Sequence, residues 1–220
     1  MNNSIFLMWI VLLLAGCAQH PVSVITPPAP AASAGKQEVA PAAMPSLYAK
    51  RKARIAAPDI TISLKNPSFD PDSQGEISGW SKNEHSTGNS YTFVADTENA
   101  HSIPSSARIR RHGSEVWGTL DQMIQVHPSW YNKTVRLTGW LMGEGISGTG
   151  GALILRADGR SGEILAWNFM ENNRVKGTQD WKRHTIELKI PSATFYLLVG
   201  VTLIDGGTLW ADDLLIELID

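Results

Sequence analysis

The sequence predicts an all-β fold: a β-sandwich of two antiparallel sheets, of jelly-roll type, behind a leader and a Pro/Ala-rich linker. Three observations predict it. Nineteen glycines and twelve prolines in 220 residues speak against a helical bundle and for a turn-rich fold. Residues 59–220 break into short apolar runs at roughly even spacing, separated by Gly, Asn, Asp and Pro, with no sustained 3.6-residue period. In the last three runs apolar and polar residues alternate, which gives each strand one wet face.

The first element is an apolar run of ten residues, 5–14, ending in Leu14-Ala15-Gly16-Cys17. About 20 apolar residues are needed to span a bilayer core, so the run reads as a signal-peptide core over 1–16. The tetrapeptide resembles the bacterial lipobox, in which the cysteine is lipidated (palmitate among its acyl chains) and becomes the first mature residue. Cys17 is the only cysteine in the chain, which excludes an internal disulfide framework and a Cys-rich zinc site. In the lipobox pattern Ala18, in place of Asp, points to the outer membrane. The n-region carries no Lys or Arg, and an ordinary cleaved signal peptide is the competing reading. The expected partner at this end is the membrane, reached through the N-terminal lipid.

The second element, 17–58, is a tether. Residues 21–60 hold 7 prolines and 11 alanines, a composition that sustains neither helix nor ladder hydrogen bonding. At about 3.1 Å per residue, forty such residues reach on the order of 120 Å. Residues 18–58 carry five cations against one anion, and 59–220 carry 14 against 20. The cluster Lys50-Arg51-Lys52-Ala53-Arg54 suits an anionic surface and equally a solvated linker end. With a net charge of −2 and a pI of about 6.3, a nucleic-acid binder built on a basic field is excluded.

The third element is the domain, 59–220. Its predicted strands are 60–65, 90–95, 106–111, 118–126, 133–142, 151–157, 163–169, 181–190, 194–203 and 208–219. Ile186, Leu188 and Ile190 share one face. Phe195, Leu197, Val199, Val201 and Leu203 share another, as do Leu214, Ile216 and Leu218. By the same parity Trp210 and Asp212 fall on the Leu214 face. Gly143-Glu144-Gly145-Ile146-Ser147-Gly148 fits G-x-G-x-x-G, but a run of glycines and a strand follow it rather than a helix N-terminus, so it reads as a flexible loop connecting sheets.

Several segments carry a family resemblance, in order and over nearly all of 60–220. They are Asn66-Pro67-Ser68-Phe69-Asp70, Gly79-Trp80, His101-Ser102 through Ser106-Ala107-Arg108-Ile109, and Gln122-Met123-Ile124. Val135-Arg136-Leu137-Thr138-Gly139-Trp140-Leu141, Lys176-Gly177-Thr178-Gln179-Asp180-Trp181-Lys182-Arg183 and Gly207-Thr208-Leu209-Trp210-Ala211-Asp212-Asp213-Leu214 complete the series. Together they resemble the galactose-binding-like β-sandwiches. That family includes carbohydrate-binding modules of glycoside hydrolases and accessory domains beside secreted peptidases and transcription regulators. The resemblance implies a non-catalytic domain that binds a glycan or cell-envelope polymer, or one that docks an envelope protein. It also implies a structural calcium, with Asp70, Asp72, Asp212 and Asp213 as the carboxylates. Calcium needs six to eight hard oxygens, and Asp70-Pro71 departs from the Glu-x-Gly of the family. The alternative for Asp212 is hydrogen bonding to loop N–H groups.

Seven tryptophans lie in the domain. Tryptophan suits sugar recognition because its flat face stacks on a pyranose while its N–H finds an acceptor. Most of the seven read as core. Trp167 stands out in the amide-rich Ala166-Trp167-Asn168-Phe169-Met170-Glu171-Asn172-Asn173, and the expected ligand set is Trp167, Asn168 and Met170 with Arg156 from the preceding strand. No G-x-S-x-G or H-E-x-x-H motif is present, so an enzyme is not the expected class.

Overall fold

The computed structural model describes residues 61–86 and 88–219. The leader, Cys17 and the linker lie outside the described residues. The chain divides into two units, Met1–Arg54 and Ile55–Asp220, and all described residues belong to the second.

Among the described residues nine antiparallel strands make up the domain: β1 (Ser81–Glu84), β2 (Tyr91–Asp96), β3 (Ser106–Arg111), β4 (Trp117–Gln125), β5 (Thr134–Asp158), β6 (Ile164–Asn168), β7 (Val175–Lys189), β8 (Tyr196–Ile204) and β9 (Thr208–Leu218). The hydrogen-bonded path runs β1-β4-β8-β5-β9-β3-β2, with β6 and β7 also paired to β5. β5 is the hinge of this arrangement. Its first part, Thr134 to Glu144, pairs with β9 and β7, and its second part, Gly150 to Asp158, pairs with β8 and β6. One layer is therefore β1-β4-β8-β5-β6 and the other β2-β3-β9-β5-β7, an antiparallel β-sandwich. The segment 143–148 is not a free loop. It stays hydrogen-bonded to β7 and β9 through successive register shifts, and its glycines let one strand turn from one layer into the other.

The core lies between the layers. Leu137, Leu141, Leu153 and Leu155 of β5 meet Leu197, Val199, Val201 and Leu203 of β8, with Leu120, Ile109, Leu209, Leu214 and Ile216 from their neighbours. The alternation expected in β8 and β7 is present: odd residues of β8 and even residues 184–188 of β7 point inward. β9 departs from simple parity. Asp213 has φ +49°, and the β5–β9 register shifts between Thr138 and Trp140, so the strand carries a bulge. Leu209 and Ala211 face the core on one side of it, and Leu214 and Ile216 on the other. Trp210 and Asp212 thus lie on the opposite face from Leu209 and Ala211 and are buried there, Trp210 donating from Nε1 to Asp96 Oδ2 at 2.8 Å.

Two further differences concern strand edges. Residues 61–65 form no strand. They are clamped to β4 by Gln122, whose side chain accepts from Lys65 N at 3.0 Å and donates to Lys65 O, which gives the Gln122-Met123-Ile124 segment a physical role. β1 is an edge strand of polar residues, Ser-Lys-Asn-Glu, and carries no apolar alternation to announce it.

Candidate functional site

The outer face of the β1-β4-β8-β5-β6 layer holds a groove of about 440 Å³. Strand alternation builds it. Opposite the core residue Leu120, β4 presents Trp117, Thr119 and Asp121; opposite Val199, Val201 and Leu203, β8 presents Leu198, Thr202 and Ile204; β5 adds Ile154 and Arg156. Register puts these in rows: Trp117 beside Ile204, Thr119 beside Thr202, Asp121 beside Gly200 and Ile154, and Met123 beside Leu198, Arg156 and Trp167. Gly200 sits at the centre because β4 and β8 approach closely there. A Cβ at that position would lie 2.1 Å from Leu120 O and 2.8 Å from Asp121 Cα.

The polar groups are oriented in advance. Asp121 Oδ2 accepts from Asn83 Nδ2 at 2.9 Å and from Thr119 Oγ1 at 2.7 Å, which leaves Oδ1 to meet a ligand hydroxyl. Arg156 is held bidentately by Asp158, Nε to Oδ1 at 2.8 Å and Nη2 to Oδ2 at 2.7 Å, leaving Nη1 as a donor. Glu84 accepts from Ser90 N and Tyr91 N, so its carboxylate is committed to the β1–β2 turn. Trp117 closes one end of the groove, with His85 edge-on to it at 5.9 Å. Phe169 also lines the groove, and Trp167, 58% exposed, stands just beyond it on β6 beside Arg156.

The expected ligand set divides. Arg156 lines the groove, and Trp167 is its direct cross-strand neighbour on β6. Asn168 has the opposite parity and is structurally engaged: Nδ2 donates to Glu187 O at 3.0 Å and Oδ1 accepts from Met170 N at 3.1 Å. Met170 is buried, with φ +52°. Trp167, Asn168 and Met170 also border a smaller hollow with Asn172, Asn173 and Thr185. Trp117, Asp121, Asn83 and Thr119 were not singled out from the sequence. Their signal is the 117/119/121 alternation opposite Leu120, with Trp117 one residue outside the predicted strand.

The carboxylates on the second layer are arranged differently from a calcium site. Asp212 is fully buried, 0% exposed. Its Oδ2 accepts from His101 N at 3.0 Å and Ser102 N at 2.8 Å, and its Oδ1 from Asp213 N at 2.7 Å. Burial pushes its pKa up, and the N–H bonds from Ser102 and Asp213 pull back. Asp213 receives His101 Nδ1 at 2.8 Å and the Ser102 hydroxyl at 2.8 Å. Burial opposes its ionisation, yet these donors hold it below the usual carboxylate range. Among the described residues, His101, Asp212 and Asp213 form the cluster of ligand-type atoms, all within 4.8 Å; Asp70 and Asp72 are not in it. Asp72 Oδ1 accepts from Gln74 N and Glu76 N of its own turn. An imidazole and carboxylates already accepting N–H bonds do not fit calcium, which wants free hard oxygens.

No protein-family model matches the chain. Over 127 residues, 57% of its length, it is 25% identical to an uncharacterized HTH-type transcriptional regulator, YbfP, of Bacillus subtilis (strain 168), and it spans 43% of that protein. Among solved structures it resembles the enzymatically active domain of tailspike protein 4 from bacteriophage CBA120 (TM-score 0.53, 15% identity, covering 74% of this chain and 22% of that one). It is also similar to a family 16 carbohydrate-binding module (TM-score 0.50, 16% identity, 69% and 99% covered). A third likeness is to the tandem CBM22-1–CBM22-2 domain of Xyn10C from Paenibacillus barcinonensis (TM-score 0.50, 16% identity, 71% and 46% covered). These likenesses are of fold: the domain has the β-sandwich of the carbohydrate-binding modules, in keeping with the galactose-binding-like segments of its sequence.

Proposed function

We propose that the domain binds a glycan chain, without catalysis, in the groove between Trp117 and Trp167, and that Cys17 anchors it by lipid to the bacterial outer membrane. The observation that carries the glycan reading is the make-up of one sheet face. Aromatic groups stand at its two ends, and a carboxylate, an amide, hydroxyls and a guanidinium lie between them, each held by a protein partner. Stacking planes with oriented polar groups are what a sugar surface requires. Three strand steps and six residues of β4 separate the two tryptophans in register. At about 4.8 Å per strand and about 3.4 Å per residue the diagonal is about 25 Å, a span for an oligosaccharide rather than a single sugar. Membership of the carbohydrate-binding-module fold agrees with this reading.

A second reading is that the domain docks a protein of the cell envelope. The exposed Met123 on β4 and Ile164 and Trp167 on β6 favour it, since a protein partner covers apolar surface. The test is a glycan and peptidoglycan-fragment array probed with the full-length chain, followed by Trp117→Ala. Saccharide binding that falls with Trp117→Ala is the expected result. An array with no bound saccharide refutes the glycan reading and leaves the docking one.

A further inference from the structure

We infer that the glycan taken by this groove is acidic, and that Arg174 and Lys176 bind a sugar carboxylate at its Trp117 end; the inference rests on the glycan reading. Behind the β6–β7 connection lies a second hollow of about 630 Å³, lined by Arg174, Lys176, Asn172, Asn173 and Thr149, with Glu171 on its wall. Its place follows from register. Gly150 of β5 pairs with Ile204, which pairs with Trp117, so the row that closes the groove leads to Gly150. A Cβ at Gly150 would lie 3.3 Å from both Arg174 Cβ and Lys176 Cγ, and 2.6 Å from Val175 O. The absence of a side chain there is what lets two cationic stems converge beside the row that runs through Ile204 to Trp117.

Neither cation is spent within the fold. Among the described residues the ion pairs involve Lys82, His85, His101, Arg108, Arg136 and Arg156, and not Arg174 or Lys176. Arg174 Nη1 is buried with no hydrogen-bond partner among the described residues. A guanidinium nitrogen withdrawn from water without an acceptor is costly, and a ligand oxygen would relieve it. The nearby carboxylates are engaged by backbone amides, Glu171 by Phe169 N at 3.3 Å and Asp205 by Thr149 N at 2.7 Å. The planar guanidinium matches a carboxylate in shape, and Asn172 and Asn173 offer amides to its remaining lone pairs.

The experiment uses matched polysaccharides, namely galactan, xylan, glucan and chitin oligomers, those with primary hydroxyls also in a form oxidised to carboxylate at that position, and xylan also with glucuronate side groups. Affinities for the full-length chain in non-ionic detergent are compared at low and high salt, together with Arg174→Gln/Lys176→Gln. We expect an acidic form to bind about tenfold tighter than its neutral parent at low salt. That advantage should shrink at high salt and vanish in the double variant. Retained affinity for the neutral parent shows that the double variant is folded and its groove intact. Neutral forms that bind as tightly as acidic ones overturn this inference and leave the glycan reading standing. If nothing on the panel binds, the glycan reading falls and this inference with it.

Discussion

His184 provides a quantitative test of the packing. It lies on β7 opposite Gly139 of β5, where a Cβ would crowd Leu153 and Leu214 in the core. The residue is 4% exposed, and neither ring nitrogen has a hydrogen-bond partner among the described residues. Burial pushes its pKa below the ordinary imidazole value of 6.5, and the nearby charge of Lys182 adds to the effect. The unfolded chain therefore takes up a proton at a pH where the folded one does not. Stability is full above about pH 7.5 and falls as pH drops through 6.5, by at most about 1.4 kcal/mol per pH unit. It becomes flat again below the folded-state pKa. For a domain of this size each kcal/mol moves Tm by about 2–4 °C. His184→Leu removes this one titration and leaves the other five histidines in both proteins, so their contributions cancel in the difference. We expect the Tm of His184→Leu relative to wild type to climb by about 3 °C for each pH unit between 6.5 and the folded-state pKa. Melting curves that stay parallel from pH 8 to pH 5 refute the assignment of a buried, unpaired imidazole.

Other perturbations read other parts of the account. Asp212→Ala strands the N–H groups of His101, Ser102 and Asp213 and should cost about 3–5 kcal/mol in urea unfolding; a loss below about 1 kcal/mol contradicts the capping role. Because those N–H groups already occupy the carboxylate, Tm should be equal in millimolar calcium and in chelator, and a calcium-dependent rise of several degrees would restore the metal reading. Gly200→Ala places a methyl against the backbone of β4, so it should destabilise by at least about 2 kcal/mol and weaken any ligand held over the groove floor. Cys17→Ser should abolish acyl incorporation and release the chain from the membrane fraction; unchanged partitioning removes the lipid anchor.

What could be read from the sequence, and what could not, follows from where the physical signal resides. β8 was legible because Leu197, Val199, Val201 and Leu203 alternate without interruption. β1 was not, because an edge strand of Ser-Lys-Asn-Glu buries nothing on either face. Four glycines between 143 and 150 read as a loop, yet hydrogen bonds to β7 and β9 hold the segment as strand, and only tertiary pairing can supply that information. A single positive φ at Asp213 reverses the side on which Trp210 and Asp212 lie relative to Leu214, and no parity argument sees a bulge. At the candidate site, Arg156 and Trp167 were recognisable by type. Asn168 and Met170 were drawn in by proximity along the chain, although one bonds the backbone and the other enters the core. Trp117 and Asp121 meet Arg156 only because β8 lies between their strands.

The central claim is that a glycan occupies the face between Trp117 and Trp167. Its most direct test is the set of indole N–H resonances of the ¹⁵N-labelled full-length chain in detergent, recorded while the strongest saccharide from the array is titrated in. The account predicts progressive shifts of the Trp117 and Trp167 signals, with those of the buried Trp80, Trp130 and Trp210 unmoved. Shifts confined to Trp140 and Trp181, which flank His101 on the other layer, would place the ligand elsewhere and contradict it.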